Sequence, residues 1–269
     1  MWRTCLVVLA LAGCDRVFGL DGREPLVDAA TDASIDPDTD ASIDVMGYAR
    51  EVLADLPVSY YRMGEATGGT CIDSAGDIHG TYGGTFALNA PGALFDDPDT
   101  AVRFGPGDTG VLFGDVHEFA GTAPFTIEAW ANITVRDHYS NIVAKYTEPP
   151  GAIGYIIYVG YGRLGFARGI TENGQTLIEL HDVDLDRFIH IVGTYDGAQM
   201  RLYVDGTLVG DKASAIALPD GIVGFTIGSG NGSLSSSPAV GTIDEVAIYD
   251  RALPPDRVFA HYTAARPPR

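Results

Sequence analysis

The strictest alternation of apolar and polar positions is Phe125-Thr-Ile-Glu-Ala-Trp-Ala-Asn-Ile-Thr134. Phe125, Ile127, Ala129, Ala131 and Ile133 share one face of a strand, and Thr126, Glu128, Trp130, Asn132 and Thr134 share the other. Shorter runs predict strands at 58–63, 101–104, 109–113, 141–146, 154–159, 163–168, 176–180, 188–195, 199–204, 208–211, 222–227 and 241–249. Asp196-Gly197 and Asp205-Gly206 supply the residues that tolerate positive φ in hairpin turns. Helical spacing in 48–56 puts Val52, Leu53 and Leu56 on one side, and Pro57 ends that helix. Pro254-Pro255-Asp256 opens a second helix, with Val258, Phe259 and Tyr262 as its apolar side. The Gly- and Asp-rich stretch 65–84 reads as a long loop. Many short strands and frequent glycine turns predict an all-β fold, a two-sheet antiparallel sandwich with short terminal helices.

The first 46 residues break this pattern. Arg3 precedes a short apolar run, Cys5 to Leu11, and small residues follow, which is the layout of a signal peptide over 1–13. The run is too short to cross a bilayer as a helix, which takes about 20 residues. Leu11-Ala12-Gly13-Cys14 resembles a bacterial lipobox. That resemblance implies cleavage before Cys14, a diacylglycerol on its thiol, and a place in the cell envelope on a bacterial membrane, outer-surface or periplasmic. The alternative is an ordinary secretory signal that happens to contain a cysteine. Residues 14–46 hold nine acidic residues and a repeat, Thr31-Asp-Ala-Ser-Ile-Asp36 and Thr39-Asp-Ala-Ser-Ile-Asp44. So few apolar groups cannot offset ordering entropy, and a disordered acidic tether is expected before a folded domain over 47–269.

The formal net charge of −19 excludes the basic face that nucleic-acid binding needs. Cys71 is the one cysteine in 47–269, so no disulfide forms within the domain, and it reads as a small buried hydrophobe. His190 lies mid-strand and reads as a core residue. Asp182, Asp184 and Asp186 would share a strand face as a metal or carboxylate site, or lie in a solvated loop. His-Glu-x-x-His and Gly-x-Ser-x-Gly are absent, and no catalytic residue is assigned.

Val52-Leu-Ala-Asp55, Pro57-Val-Ser-Tyr-Tyr-Arg-Met-Gly-Glu65, Asp73-Ser-Ala-Gly76, Phe125–Trp130, His190–Gly197, Leu202–Gly206 and above all Ile243-Asp-Glu-Val-Ala-Ile-Tyr-Asp-Arg-Ala-Leu253 resemble the laminin-G-like, concanavalin A-like jelly-roll domains of bacterial surface proteins. The resemblance implies a jelly roll that binds carbohydrate or protein. It also implies that the early Asp loop and the late Ile-Asp-Glu meet around a structural calcium, with Asp73 and Asp244 as ligands beside a carbonyl near His79 or Gly80. Alternatively Asp244 accepts hydrogen bonds from loop amides, or pairs with Arg62 or Arg103, without metal. For a sugar ligand, aromatic platforms beside polar groups are sought: Trp130 with Glu128, Tyr203 with Arg201, and Tyr158 near Tyr139, Tyr161 and Arg163. Core packing is the competing explanation for these aromatics. The function expected is a non-catalytic surface module recognising glycan or protein. A glycoside hydrolase or polysaccharide lyase, or a structural envelope component, stands as the alternative.

Overall fold

The computed structural model describes residues 47–266 except 136, 148–151, 171–173, 185–186 and 222. Cys14, the signal and tether segments, and Asp186 lie outside the described residues. The elements run α1 (Gly47–Ala54), β1 (Ser59–Tyr61), β2 (Thr70–Cys71), β3 (Gly80–Pro91), β4 (Thr100–Gly114), β5 (Phe125–Ile133), β6 (Tyr139–Tyr146), β7 (Ile153–Gly160), β8 (Arg163–Ile170), β9 (Gly174–His181), β10 (Ile189–Tyr195), β11 (Gln199–Val204), β12 (Thr207–Ala213), β13 (Phe225–Ile227), β14 (Gly241–Tyr249) and α2 (Pro255–Ala264). Every strand pairing is antiparallel, in the order β12-β11-β10-β5-β14-β4-β13-β6-β7-β8-β9, with β1 on β14 and β3 on β4.

Two sheets arise because β4 belongs to both. Val102 to Phe104 pair with β14, whereas Val111 to Gly114 pair with β13. The Gly105-Pro106-Gly107-Asp108 segment, expected to separate two strands, lies inside this single 15-residue strand. The stretch 65–84, expected as a loop, contributes β2 and the start of β3. Leu56, placed on the apolar side of the first helix, is exposed, because α1 stops at Ala54 and Leu56 takes φ 47° beyond it.

The main core lies between the sheets. It takes Phe125, Ile127, Ala129, Ala131 and Ile133 from β5 and Leu164 and Phe166 from β8. A second apolar layer covers the opposite face of β5, β10 and β14, where Tyr48 and Val52 of α1 and Val258 of α2 pack on Trp130, Val192 and Tyr249. A third small cluster, Ala144, Tyr146, Ala152, Ile156 and Ala167, lies on the far face of the other sheet, and no helix covers it among the described residues. The Asp205-Gly206 hairpin has φ 50° and 72°, the double positive φ of a two-residue turn that matches strand twist.

Candidate functional site

Three polar constellations stand out, one on each of three parts of the sandwich. The first is buried under the helices. Glu128 of β5 accepts hydrogen bonds from Tyr48 Oη at 2.8 Å and Tyr249 Oη at 3.2 Å, and its carboxylate lies 2.7 Å from His190 Nε2 and 3.0 Å from His261 Nδ1. The other ring nitrogen of His261 is 2.9 Å from Asp55. Burial alone would raise the Glu128 carboxyl, but His261 and His190 hold it below the ordinary carboxylate range. Burial alone would lower His261, yet Glu128 and Asp55 on either side raise it. The network ties α1, α2, β5, β10 and β14 together. Trp130 sits in the same layer, with the Tyr262 ring stacked at 6.2 Å and the Arg266 guanidinium at 5.3 Å. Glu128, Trp130 and Tyr203 are therefore covered, and Arg201 is half-buried in an ion pair with Asp196 at 2.8 Å. The aromatic–polar pairs sought on β5 and β11 are packing and ion-pair groups. The helices occupy the face on which a ligand was expected.

The second constellation explains the adjacent acids of β14. Asp244 lies opposite Trp130, but Ala247 lies opposite Glu128, so the strand carries a bulge there. Glu245 takes φ 52° at the bulge. The extra residue puts both acids on one side while Ile243, Val246 and Ile248 stay in the main core. Arg62 meets Glu245 at 3.1 Å, Asp97 at 3.1 Å and Asp99 at 2.9 Å, and Tyr60 Oη donates to Glu245. Burial nevertheless raises Glu245 to about 8. Burial and the neighbouring Glu245 raise Asp244 well above the carboxylate range. Asp244 Oδ2 accepts the Ala93 N–H at 2.8 Å, a loop amide as one reading of the sequence foresaw, while its Oδ1 is buried without a partner among the described residues. Arg62 pairs with Glu245, not with Asp244.

Asp73 stands elsewhere. Its carboxylate accepts the N–H groups of Tyr60, Ala75, Gly76 and Ile78 at 2.9 to 3.2 Å, and the Asp73 N–H donates to His79 Nδ1. Tyr61 bridges to Asp73 on one side and pairs with Val246 of β14 on the other, so β1 runs between Asp73 and the acids of β14. Gly80 is in the β2–β3 ladder opposite Cys71. Asp73, His79, Gly80 and Asp244 are thus not assembled as one ligand set. Among the described residues no group of three or more His, Cys, Asp or Glu side chains is placed to hold a metal. Asp184 of the acidic run pairs with Arg187 at 3.5 Å, which suits the loop reading.

The third constellation is open. The uncovered face of β6–β9 forms a trough of about 470 Å³, within the usual size of ligand pockets. Its floor is one cross-strand row, Ile156, Ala167 and Leu177. One same-face row away along the strands lie Asn141, Tyr158, Gly165 and Glu179 in register. A Cβ on Gly165 would stand 2.2 Å from Tyr158 Cζ, so the glycine lets the ring lie over β8. Laid over, Tyr158 Oη donates to Glu179 at 2.8 Å, and Arg163 approaches Glu179 at 3.6 Å. Burial and the Glu179 hydrogen bond raise the Tyr158 phenol, which stays a neutral donor. On the other side of the floor Gln175 Nε2 donates to Tyr146 Oη at 3.0 Å. Tyr139 and Tyr161, both exposed, extend the aromatic rim, with ring centroids 5.1 Å apart.

Of the residues sought in the sequence, Tyr139, Tyr158 and Arg163 line this trough. Asn141, Tyr146, Gln175, Leu177 and Glu179 were missed. A signal for them exists: Gly154, Gly160, Gly165 and Gly169 interrupt the β7 and β8 patterns, and a glycine inside a strand marks a close approach.

The fold has known counterparts. The binding domain of botulinum neurotoxin serotype D superposes with a TM-score of 0.58 at 10% identity, covering 79% of this chain and 52% of that one. The serotype D ligand binding domain in complex with N-acetylneuraminic acid gives 0.56 at 11% identity over 79% and 52%. The binding domain of Paraclostridial Mosquitocidal Protein 1 gives 0.57 at 15% identity over 78% and 52%. The chain thus spans about half the length of these structures, and at such identities the likeness is one of fold. A comparison with curated protein sequences finds no match. Residues 105–259, more than half of the chain, match the family model described as the concanavalin A-like lectin/glucanases superfamily. With its two antiparallel sheets, the sheet-switching β4 and the closing strand β14, the chain belongs to the concanavalin A-like lectin/glucanases superfamily.

Proposed function

We propose that the protein is a non-catalytic carbohydrate-binding module whose ligand lies in the trough across β6–β9. The observation that carries this reading is the Tyr158 ring placed over Gly165, with Asn141, Glu179 and Arg163 around it. A flat aromatic face stacks on the apolar side of a sugar ring, and planar amide, carboxylate and guanidinium groups accept and donate to its hydroxyls. The fold relatives, which are toxin binding domains, one solved with N-acetylneuraminic acid, support a binding role and a glycan as ligand class. Glu179 is the one carboxylate lining the trough among the described residues, whereas glycoside hydrolysis employs two facing carboxylates.

We read the module as displayed in a bacterial cell envelope by a lipid on Cys14, with 15–46 as spacer; the support is the Leu11–Cys14 motif and the acidic repeat. Intact-mass analysis of the membrane fraction tests this, since a Cys14→Ser chain should lose the diacylglycerol mass. A structural calcium enters the reading only through Asp244, whose buried Oδ1 lacks a partner among the described residues. A higher melting temperature in calcium than in EDTA supports it, and an unchanged one removes it.

The binding test is a glycan array with the full chain and its Tyr158→Ala variant. Binding by the first and loss by the second is expected. Silence of the full chain on every glycan class, or binding unaffected in the variant, overturns the proposal.

A further inference from the structure

The floor of the trough differs from its rims in a way that narrows the ligand class. Its central row is aliphatic: Ile156, Ala167 and Leu177 offer no hydrogen-bonding side-chain atom. A sugar hydroxyl pressed onto that row would lose water without gaining a partner, which is unfavourable. A methyl group there would gain by burial. Polar groups begin one row away on each side: the Tyr158–Glu179 pair on one, the Tyr146–Gln175 pair on the other. Successive same-face rows are about 6.6 Å apart, two strand residues at roughly 3.3 Å each.

An aliphatic strip flanked by an acceptor and an amide donor fits a group that joins a methyl to an N–H and a C=O. Resting on the glycan reading above, we infer that the trough selects N-acetylated amino sugars, with the acetamido methyl on Ile156 and Ala167. The acetamido N–H is then directed to Glu179, whose carboxylate already accepts from Tyr158, and the carbonyl to the Gln175 amide. The sugar ring takes the Tyr158 face. A plain hexose can use the same ring and rim but leaves the strip in contact with water or with an unpaired hydroxyl.

Tri-N-acetylchitotriose and cellotriose differ at the 2-acetamido and 2-hydroxyl positions alone, so they are the probes. Titration calorimetry with the full chain should show tri-N-acetylchitotriose binding at least about tenfold tighter, the usual effect of one apolar group in a fitted pocket. Ile156→Thr, which keeps a β-branched side chain but puts a hydroxyl on the strip, should abolish most of that preference, and the circular dichroism spectrum should stay native. Equal affinity for the two sugars, or a preference that survives Ile156→Thr, overturns the acetamido assignment and leaves the glycan-binding reading standing. Binding of neither sugar also overturns it. The glycan reading falls with it only when the array of all glycan classes is silent too.

Discussion

Replacing Glu128 with glutamine should destabilise the domain more than any other single isosteric change. The side chain is fully buried and takes hydrogen bonds from two tyrosines and contacts from two histidines. Glutamine keeps the volume but presents an NH2 group to a set of donors and leaves the His261 charge with Asp55 alone. Removing one partner of a buried ion pair costs on the order of 3–5 kcal/mol, because the other charge stays desolvated. A domain of this size loses roughly 2–4 °C of melting temperature per kcal/mol, so a fall of about 6–20 °C is expected. Urea unfolding followed by tryptophan emission is a direct assay. Trp130 is the one tryptophan in 47–269, and it lies 4.9 Å, centroid to centroid, from His190 in the network. The double-mutant cycle with His261→Gln should show coupling above about 1 kcal/mol, as contacting residues do. A loss below about 1 kcal/mol for Glu128→Gln, or strict additivity with His261→Gln, would refute the claim that this network fastens the helices to the sheet.

Three further outcomes follow from the same geometry. Stability should be greatest near about pH 4.5 and fall as pH rises toward 8. Glu245, raised to about 8, and the raised Asp244 lose their contribution from the ordinary carboxylate range upward, the raised His261 adds to that fall above its ordinary value near 6.5, and the depressed Glu128 loses its contribution as pH drops below the ordinary carboxylate range. Melting curves from pH 3 to 9 check this, and a monotonic rise toward pH 9 would contradict it. Gly165→Val should lift Tyr158 off β8, with glycan affinity reduced roughly tenfold, a loss read by calorimetry, while the main core on the opposite face stays packed. Cys71 is buried and its thiol is raised by burial, so a thiol reagent should label it only after unfolding. Rapid labelling of the native domain would place it at the surface instead.

Much of the fold was legible from periodicity, because a strand with one buried face must alternate. Phe125 to Ile133 and Gly241 to Tyr249 are found as read, and Phe125, Ile127 and Ala129 face the main core as expected. Alternation assigns residues to two faces but does not say what covers the second. Trp130 and Glu128 were therefore read toward a ligand, when α1 and α2, distant in sequence, lie over them. The bulge that turns both Asp244 and Glu245 outward leaves no mark in the sequence other than the two adjacent acids themselves. β3 was hidden because glycines and threonines dilute its apolar signal, and its pairing with β4 is decided by tertiary contact. The trough was the least legible part: it exists only where four strands align Asn141, Tyr158, Gly165 and Glu179, and register is not written in any one segment.

The central claim is that the ligand is held on the open face of β6–β9 and not on the helix-covered face of β5 and β10. Amide hydrogen exchange of the full chain, with and without a glycan selected from the array, separates the two. Slower exchange within 139–146, 153–160, 163–170 and 174–181, with 125–133 and 189–204 unchanged, is the predicted result. Protection confined to 125–133 and 189–204 would contradict it.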